Sequence, residues 1–196
     1  MSELRTNRII PTAGISTNGG GGIIQVVSHH KTDAAEYPLD GTDIVAGEEL
    51  NIGLSVTINI QGASNKVLLM GHISHNCDDN QQAHFNLLRN AVGSDYNTVA
   101  NTDGGIVKGA AGGSQWRCFV TAQANQDHLD DWAIMTTPFY YLDSPGCTGL
   151  ISYSIILIGG VSGSKKIWIN RGERDNANTH YDGRASSNIT AMEVCA

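Results

Sequence analysis

The stretch Leu50-Asn51-Ile52-Gly53-Leu54-Ser55-Val56-Thr57-Ile58-Asn59-Ile60 has an apolar side chain at every even position and a polar residue or glycine at every odd one. Side chains alternate between the two faces of a β-strand, so the pattern predicts a strand with one face in a core and the other in solvent. A helix would not gather these six apolar residues on one side. We therefore take this strand as the starting point of the fold.

A second apolar segment follows the turn-forming residues 61–66. Val67, Leu69 and Ile73 repeat the alternation, but Leu68 and Met70 make the opposite face apolar as well. The two segments predict a central antiparallel hairpin whose second strand lies deeper in its sheet than the first.

The rest of the chain reads as short strands separated by Gly-, Asn- and Asp-rich turns, with one long polar loop over 90–114. Further strands are predicted near 23–27, 83–89, 115–124, 131–142, 149–158, 165–170 and 187–195. Nine or ten strands at near-regular spacing predict an all-β fold, an antiparallel β-sandwich or jelly roll.

Length, charge and hydrophobic patterning limit the classes of protein to which the chain can belong. The chain has 196 residues, enough for one domain with a sizeable core. A net charge of −7 disfavours a nucleic-acid partner, because phosphates require a basic surface. No apolar run approaches the ~20 residues of a membrane-spanning helix. The N-terminus lacks the apolar segment of a secretory signal, so we expect synthesis in a cytoplasm, where the four scattered cysteines stay free.

Residues 1–22 differ from the 23–196 sandwich domain. They combine apolar and basic side chains and end in the glycine tract 19–22, which is typical of a flexible tether. We predict a docking arm that attaches the sandwich to another surface, and a frayed terminus is the alternative. Its predicted docking residues are Leu4, Arg5, Arg8, Ile9, Ile10 and Ile15.

The candidate catalytic and metal-binding motifs in the sequence match known motifs only incompletely. His72, His75 and Cys77 lie close in sequence, but on a strand His72 faces away from the other two. Residues 160–164 miss the G-x-S-x-G pattern by their last position. Acids at 127, 130 and 131 are an open alternative for calcium or for glycan cleavage, although such acids more often form a solvated cap. We predict no enzymatic activity, no metal and no cofactor.

Several segments together resemble the tail-fibre or fibre-like virion structural proteins of marine and cyanobacterial phages. They are 2–14 running through the glycine tract into 23–27, the pattern of 53–58 and 64–69, the turn 142–146 and the ending 187–194. Residues 76–115 do not match. The resemblance implies a virion structural protein with a β-sandwich, usually trimeric, that is attached to other virion proteins through its N-terminal arm.

Our first interpretation is thus a phage tail-fibre or receptor-binding protein, assembled in the host cytoplasm. Alternatives are a capsid decoration, a knob or head-tail-junction protein, and a glycan-binding or glycan-cleaving domain. A homotrimer is expected, with Leu68, Met70, Ile156 and Ile158 supplying apolar surface on the second faces of their strands. For a host-surface glycan we predict a binding loop containing Tyr96, Asn97, Asn101, Asp103 and Trp116, although Trp116 is equally well explained as a core residue.

Overall fold

The computed structural model describes residues 22–38, 49–77, 82–91, 106–107, 109–110, 118–123, 132–158, 166–177, 180 and 182–195. All of the regular elements in these ranges are β-strands, which confirms the predicted all-β class. The strands are β1 (Ile23–Lys31), β2 (Ala35–Pro38), β3 (Glu49–Ile60), β4 (Lys66–Cys77), β5 (Gln82–Ala91), β6 (Val120–Gln123), β7 (Met135–Asp143), β8 (Gly149–Ile158), β9 (Lys166–Ile169) and β10 (Ser187–Val194).

These strands form two antiparallel sheets. In the larger sheet β10 lies between β1 and β4, and β7 pairs along the other edge of β4. The last residues of β4 also pair with β9, and β9 pairs with β2. The smaller sheet has the order β3-β8-β5-β6. The predicted β-sandwich is confirmed, and β8 is the central strand that its apolar sequence indicated.

The predicted hairpin between the first two apolar segments is wrong. β3 pairs with β8 in the smaller sheet, whereas β4 pairs with β10 and β7 in the larger one. Residues 61–65 therefore carry the chain from one sheet to the other. The physical reason is that each strand needs to bury an apolar face, and two such faces cover one another when they lie on opposite sides of one core.

The core lies between the two sheets and follows the predicted alternation. The even residues from Ile52 to Ile60 are at most 4% exposed, while Thr57 and Asn59 face solvent. In β4, Val67, Leu69 and Ile73 are fully buried. The rest of the core comes from inward side chains of β5 and β8 in the smaller sheet and of β9 and β10 in the larger one: Ala83, Phe85, Leu87, Ile151, Tyr153, Ile155, Leu157, Ile167, Ile169, Ile189 and Ala191.

Gly71 of β4 lies at a point in the larger sheet where there is no room for a side chain. A Cβ at this position would lie 2.1 Å from the carbonyl oxygen of Asn188 and 2.8 Å from Cζ of Phe139. Only glycine leaves room for this contact, so the break that Gly71 makes in the apolar pattern of β4 has a packing cause.

A buried ionic cluster joins the two sheets. Nη1 of Arg89 in β5 donates to both carboxylate oxygens of Asp143 in β7, at 2.9 and 2.8 Å. The hydroxyl of Tyr153 in β8 donates to the same carboxylate at 2.7 Å. Burial, together with the Asp143 charge, raises the pKa of Tyr153, so its hydroxyl stays protonated and remains a donor. We call this cluster the inter-sheet bridge.

A second buried carboxylate holds the 61–65 connection in place. Glu193 in β10 is fully buried and accepts hydrogen bonds from Nδ2 of Asn65 (2.6 Å), the backbone N–H of Gln61 (2.8 Å) and Nε2 of Gln25 (2.5 Å). Burial alone would raise the pKa of Glu193, but these bonds outweigh it and hold the pKa below its ordinary value. The connection is thereby tied to β10 and β1.

Candidate functional site: the outer face of the larger sheet

Both sets of sequence-predicted site residues lie outside the described residues. These are the docking residues Leu4, Arg5, Arg8, Ile9, Ile10 and Ile15, and the glycan-binding residues Tyr96, Asn97, Asn101, Asp103 and Trp116. Both sets therefore stay predictions, and the candidate site described below is built from other residues.

Over β1, β10, β7 and the first half of β4, the larger sheet turns one face to the core and the other to solvent. On the solvent side, strand register brings four apolar residues side by side across four strands. Val26 of β1 is opposite Met192 of β10, Met192 is opposite Leu68 of β4, and Leu68 is opposite Leu142 of β7. We call Val26, Met192, Leu68 and Leu142 the apolar row.

Neighbouring rows extend this surface. The next row consists of Ser28, Thr190, Met70 and Tyr140, and the one after it of His30, Asn188, His72 and Pro138. On the other side of the apolar row, Ile23 pairs with Val194 and Val194 with Lys66. We call the solvent side of these four strands the outer face.

Large apolar side chains on the outer face are open to solvent. Tyr140 is 81% exposed, Val26 55%, Leu142 49% and Met70 37%. Single exposed apolar residues are ordinary on protein surfaces, but a contiguous group marks a site of interaction. Lys66 is the only Lys, Arg, Asp or Glu among the outward residues of these rows. The chemistry of the outer face suits contact with another uncharged surface.

The predicted apolar surface on β8 is absent. Ile156 and Ile158 are each only 2% exposed, even though they alternate with the core residues Ile155 and Leu157. The prediction that they provide surface for self-association is therefore wrong. On β4, Leu68 is half-buried and Met70 is exposed, so the predicted apolar surface is present there, and its role in self-association stays a prediction.

The histidines near the end of β4 do not form a metal site. His75 and Cys77 share the inward side, with Nδ1 and Sγ 3.9 Å apart, whereas Nε2 of His72 contacts the carbonyl of Ser186 at 3.0 Å. This matches the predicted facing. Within the described ranges, no group of three or more His, Cys, Asp or Glu side chains is arranged to hold a metal ion.

The environment of His75 predicts acid sensitivity. The ring is fully buried, packs against Phe85 with centroids 6.0 Å apart, and its Nε2 lies 2.9 Å from the hydroxyl of Thr137. Burial lowers the pKa of His75 from 6.5 to about 4. Between these values the unfolded chain binds a proton that the folded chain does not, so stability falls as the pH falls. We expect a loss of about 2 kcal/mol by pH 5.

Urea unfolding at pH 7 and pH 5 measures this effect, and His75→Gln should show a smaller difference between the two pH values than the wild type. Burial also lowers the pKa of His84, so part of the pH dependence should persist in the variant. Identical pH dependence in the two proteins would contradict the assignment to His75.

Ion pairs organise the described part of the 171–184 loop. Arg174 pairs with Asp182 at 2.5 Å, and Arg184 pairs with Asp175 at 2.7 Å. Arg171 reaches Glu36 of β2 at 2.7 Å. Each guanidinium already has a carboxylate partner within the chain, so these arginines have a structural role in the loop. An external anion would have to displace one of these carboxylates to bind there.

Sequence reasoning found only part of the outer face. Leu68 and Met70 stood out because they break the alternation of β4. Val26, Met192 and Leu142 come from strands far apart in the chain, and their common row depends on the strand order. Each strand does carry apolar residues at its outward positions, but no local sequence pattern indicates that these residues lie side by side in the folded sheet.

No protein-family model matches the chain, and no curated protein matches it in sequence. Among solved structures, one of the infectious bursal disease virus Gt strain is similar, with 14% identity and a TM-score of 0.33, over 94% of this chain and 42% of that one. A mutant VP2 protein of infectious bursal disease virus, in derived T=1 particles, shows 11% identity, a TM-score of 0.31 and the same coverage. The chain spans less than half of the length of either. Likeness at this level is too low to bear on function.

Proposed function

We propose that this chain is a structural protein of a phage particle, a tail-fibre or receptor-binding protein that works through binding surfaces rather than through catalysis. The observation that carries the proposal is the outer face, a contiguous exposed surface with apolar residues on four strands. A protein that acts alone in solution gains nothing from leaving such a surface uncovered. The resemblance of both chain ends to fibre-like virion proteins points to the same class.

The beginning of the described structure supports an arm that leaves beside this surface. The backbone N–H of Cys195 donates to the carbonyl of Gly22 at 2.9 Å, and Ile23 pairs with Val194. Residues 1–21 therefore join the sandwich at the margin of the outer face. We propose that they attach it to other virion proteins, with the apolar residues of the arm in contact and Arg5 and Arg8 paired with carboxylates.

Removal of residues 1–22 is expected to leave the melting temperature of the remaining domain nearly unchanged, because the core described above uses none of them. The same truncation should eliminate incorporation into particles, and Ile9→Asp combined with Ile10→Asp should act in the same way. Quantitative analysis of the protein in purified particles measures the effect. Particles carrying the truncated chain at its normal copy number would rule out an anchoring arm.

The position of the protein on the particle separates our first proposal from its alternative, a capsid decoration, knob or head-tail-junction protein. A fibre protein should be located on the tail and its loss should abolish adsorption to the host. A decoration protein should be located on the head, and particles that lack it should still adsorb. Labelling particles with an antibody against the sandwich domain, viewed by electron microscopy, distinguishes the two.

A further inference from the structure

β1 forms a free edge of the larger sheet. In the part of the chain that the structure describes, it pairs with β10 along its length and with no other strand. The far side of such a strand carries a row of backbone N–H and C=O groups that have no partner in the sheet, and this row is a template for another strand. The register is irregular only between Ile23 and Gln25, so residues 25–31 present a regular edge.

The hydrogen-bond pattern identifies the residues that face outward along this edge. The N–H of Cys195 donates to the carbonyl of Gly22 at 2.9 Å, and in an antiparallel pair such bonded positions recur at every second residue. Counted back along β10 and through the strand register, the residues of β1 that bond to β10 include Gln25, Val27 and His29. The residues between and after them point their N–H and C=O groups away from β10: Val26, Ser28 and His30.

Other edges among the described strands are protected against pairing. β2 and β6 have four residues each, and β7 contains Pro138. The edge of β3 is covered by β1 at two points. Nε2 of Gln25 donates to the carbonyl of Asn59 at 2.5 Å, and Nζ of Lys31 lies 3.3 Å from the position that a Cβ on Gly53 would take. β1 itself has nine residues and no proline, so neither short length nor proline protects it.

The composition of β1 suits contact with a second copy of this chain. Ile23, Ile24 and Val26 are 60%, 44% and 55% exposed. The strand contains no carboxylate, and its one lysine, Lys31, is buried and paired with Asp33. Because the chain carries a net charge of −7, two copies repel each other over most of their surfaces, but they can approach at β1 without opposing carboxylates.

The size of this side of the sandwich matches a stable pair of copies. β1 and β3 lie one above the other here, as the contacts of Gln25 and Lys31 show. The length of β1 is about 30 Å, and two stacked sheets with their side chains are about 20 Å thick. Joining two such sides buries about 600 Å² on each copy and about 1,200 Å² in total, which reaches the range of stable interfaces.

We propose that two copies of this chain pair their β1 strands antiparallel around a two-fold axis, so that their larger sheets join into one continuous sheet. With the axis at Val27, Val26 lies opposite the partner's Ser28, and their outward N–H and C=O groups bond to each other. The two Lys31 side chains lie at opposite ends of the contact. This inference goes beyond the proposed function and does not depend on it, because the free edge belongs to the sandwich whether or not the chain enters a particle.

A proline at an outward position of the full-length chain tests the pairing. Ser28→Pro removes an N–H that does not bond to β10, and proline is tolerated on the open side of an edge strand, so the fold of each copy should be kept. At micromolar concentration, light scattering should give a mass of two chains for the wild type and one chain for Ser28→Pro. Ser28→Ala keeps the N–H and should remain at two chains.

Leu142→Glu is the control for contact through the outer face. Leu142 is 49% exposed and lies on β7, at the opposite margin of the same face. This variant should keep the mass of two chains. Loss of the dimer in Leu142→Glu but not in Ser28→Pro would assign the contact to the outer face and overturn the proposal. A wild-type mass of one chain or of three chains would also overturn it.

Amide hydrogen exchange tests the pairing without any substitution. The N–H groups of Val26, Ser28 and His30 face solvent in a single copy and are bonded in the pair. Their exchange should therefore slow at least tenfold between a dilute, monomeric sample and a concentrated, dimeric one. The N–H of Val27 bonds to β10 in both states and serves as the internal control. Unchanged exchange of the three outward amides would refute the pairing, even if Ser28→Pro is monomeric.

Discussion

Asp143→Ala is expected to lower the free energy of unfolding by about 3–5 kcal/mol, because it removes the acceptor at the centre of the inter-sheet bridge. The change leaves the half-buried guanidinium of Arg89 and the fully buried hydroxyl of Tyr153 without the carboxylate that they share. Chemical denaturation, followed by tryptophan fluorescence, measures the loss. The side chain of Asp143 is only 5% exposed, so water cannot compensate for much of it.

Two companion variants show whether the loss comes from burial. Arg184→Ala breaks an exposed ion pair with Asp175 and should leave the denaturation midpoint almost unchanged. Replacing the whole cluster, with Asp143→Leu, Arg89→Leu and Tyr153→Phe together, should recover much of the stability, since no buried polar group is then left unpaired. An Asp143→Ala chain that unfolds at the wild-type midpoint would show that the bridge contributes no net stability.

Val56→Asp should abolish folding, whereas Thr57→Asp should shift stability by less than about 0.5 kcal/mol. Val56 is 4% exposed and faces the core, where an unpaired carboxylate costs several kcal/mol, a large part of the 5–15 kcal/mol that holds a typical domain together. Thr57 is the next residue in β3 and faces solvent. The two variants thus differ only in the side of the strand that carries the new charge.

Soluble expression and thermal melting compare these two variants directly. The expected result is an insoluble or unfolded Val56→Asp chain beside a Thr57→Asp chain that melts like the wild type. Equal solubility and equal melting temperatures would show that the assigned facing of β3 is wrong.

Much of the fold could be predicted from period-two patterns within single strands. Val56 and Thr57 are correctly placed because each strand must turn one face to the core, and that constraint is local. The hairpin of β3 and β4 was predicted wrongly because alternation states which face is buried, not which strand is the neighbour. Pairing depends on contacts between distant segments, such as Leu54 with Ile155 and Leu69 with Ala191.

The inter-sheet bridge and the candidate site were both less accessible to sequence reasoning, for the same reason. Asp143 was recognised only as part of a turn, because its partners Arg89 and Tyr153 lie in two other strands of the opposite sheet. The outer face requires the order β1-β10-β4-β7, which no local motif encodes. The prediction for Ile156 and Ile158 was wrong because an apolar residue on the second face of a strand can equally well be buried.

The position of β10 has a consequence for synthesis of the protein. β10 (187–194) lies between β1, near the beginning of the chain, and β4, nearer its middle. The larger sheet therefore stays divided until residues 187–194 have left the ribosome. Pairings between such distant segments form slowly, since a long loop must close before any contact is gained. A chain truncated before residue 187 would have neither a complete sheet nor an outer face. A fragment released before residues 187–194 are made would therefore lack the surface that we propose as the binding site.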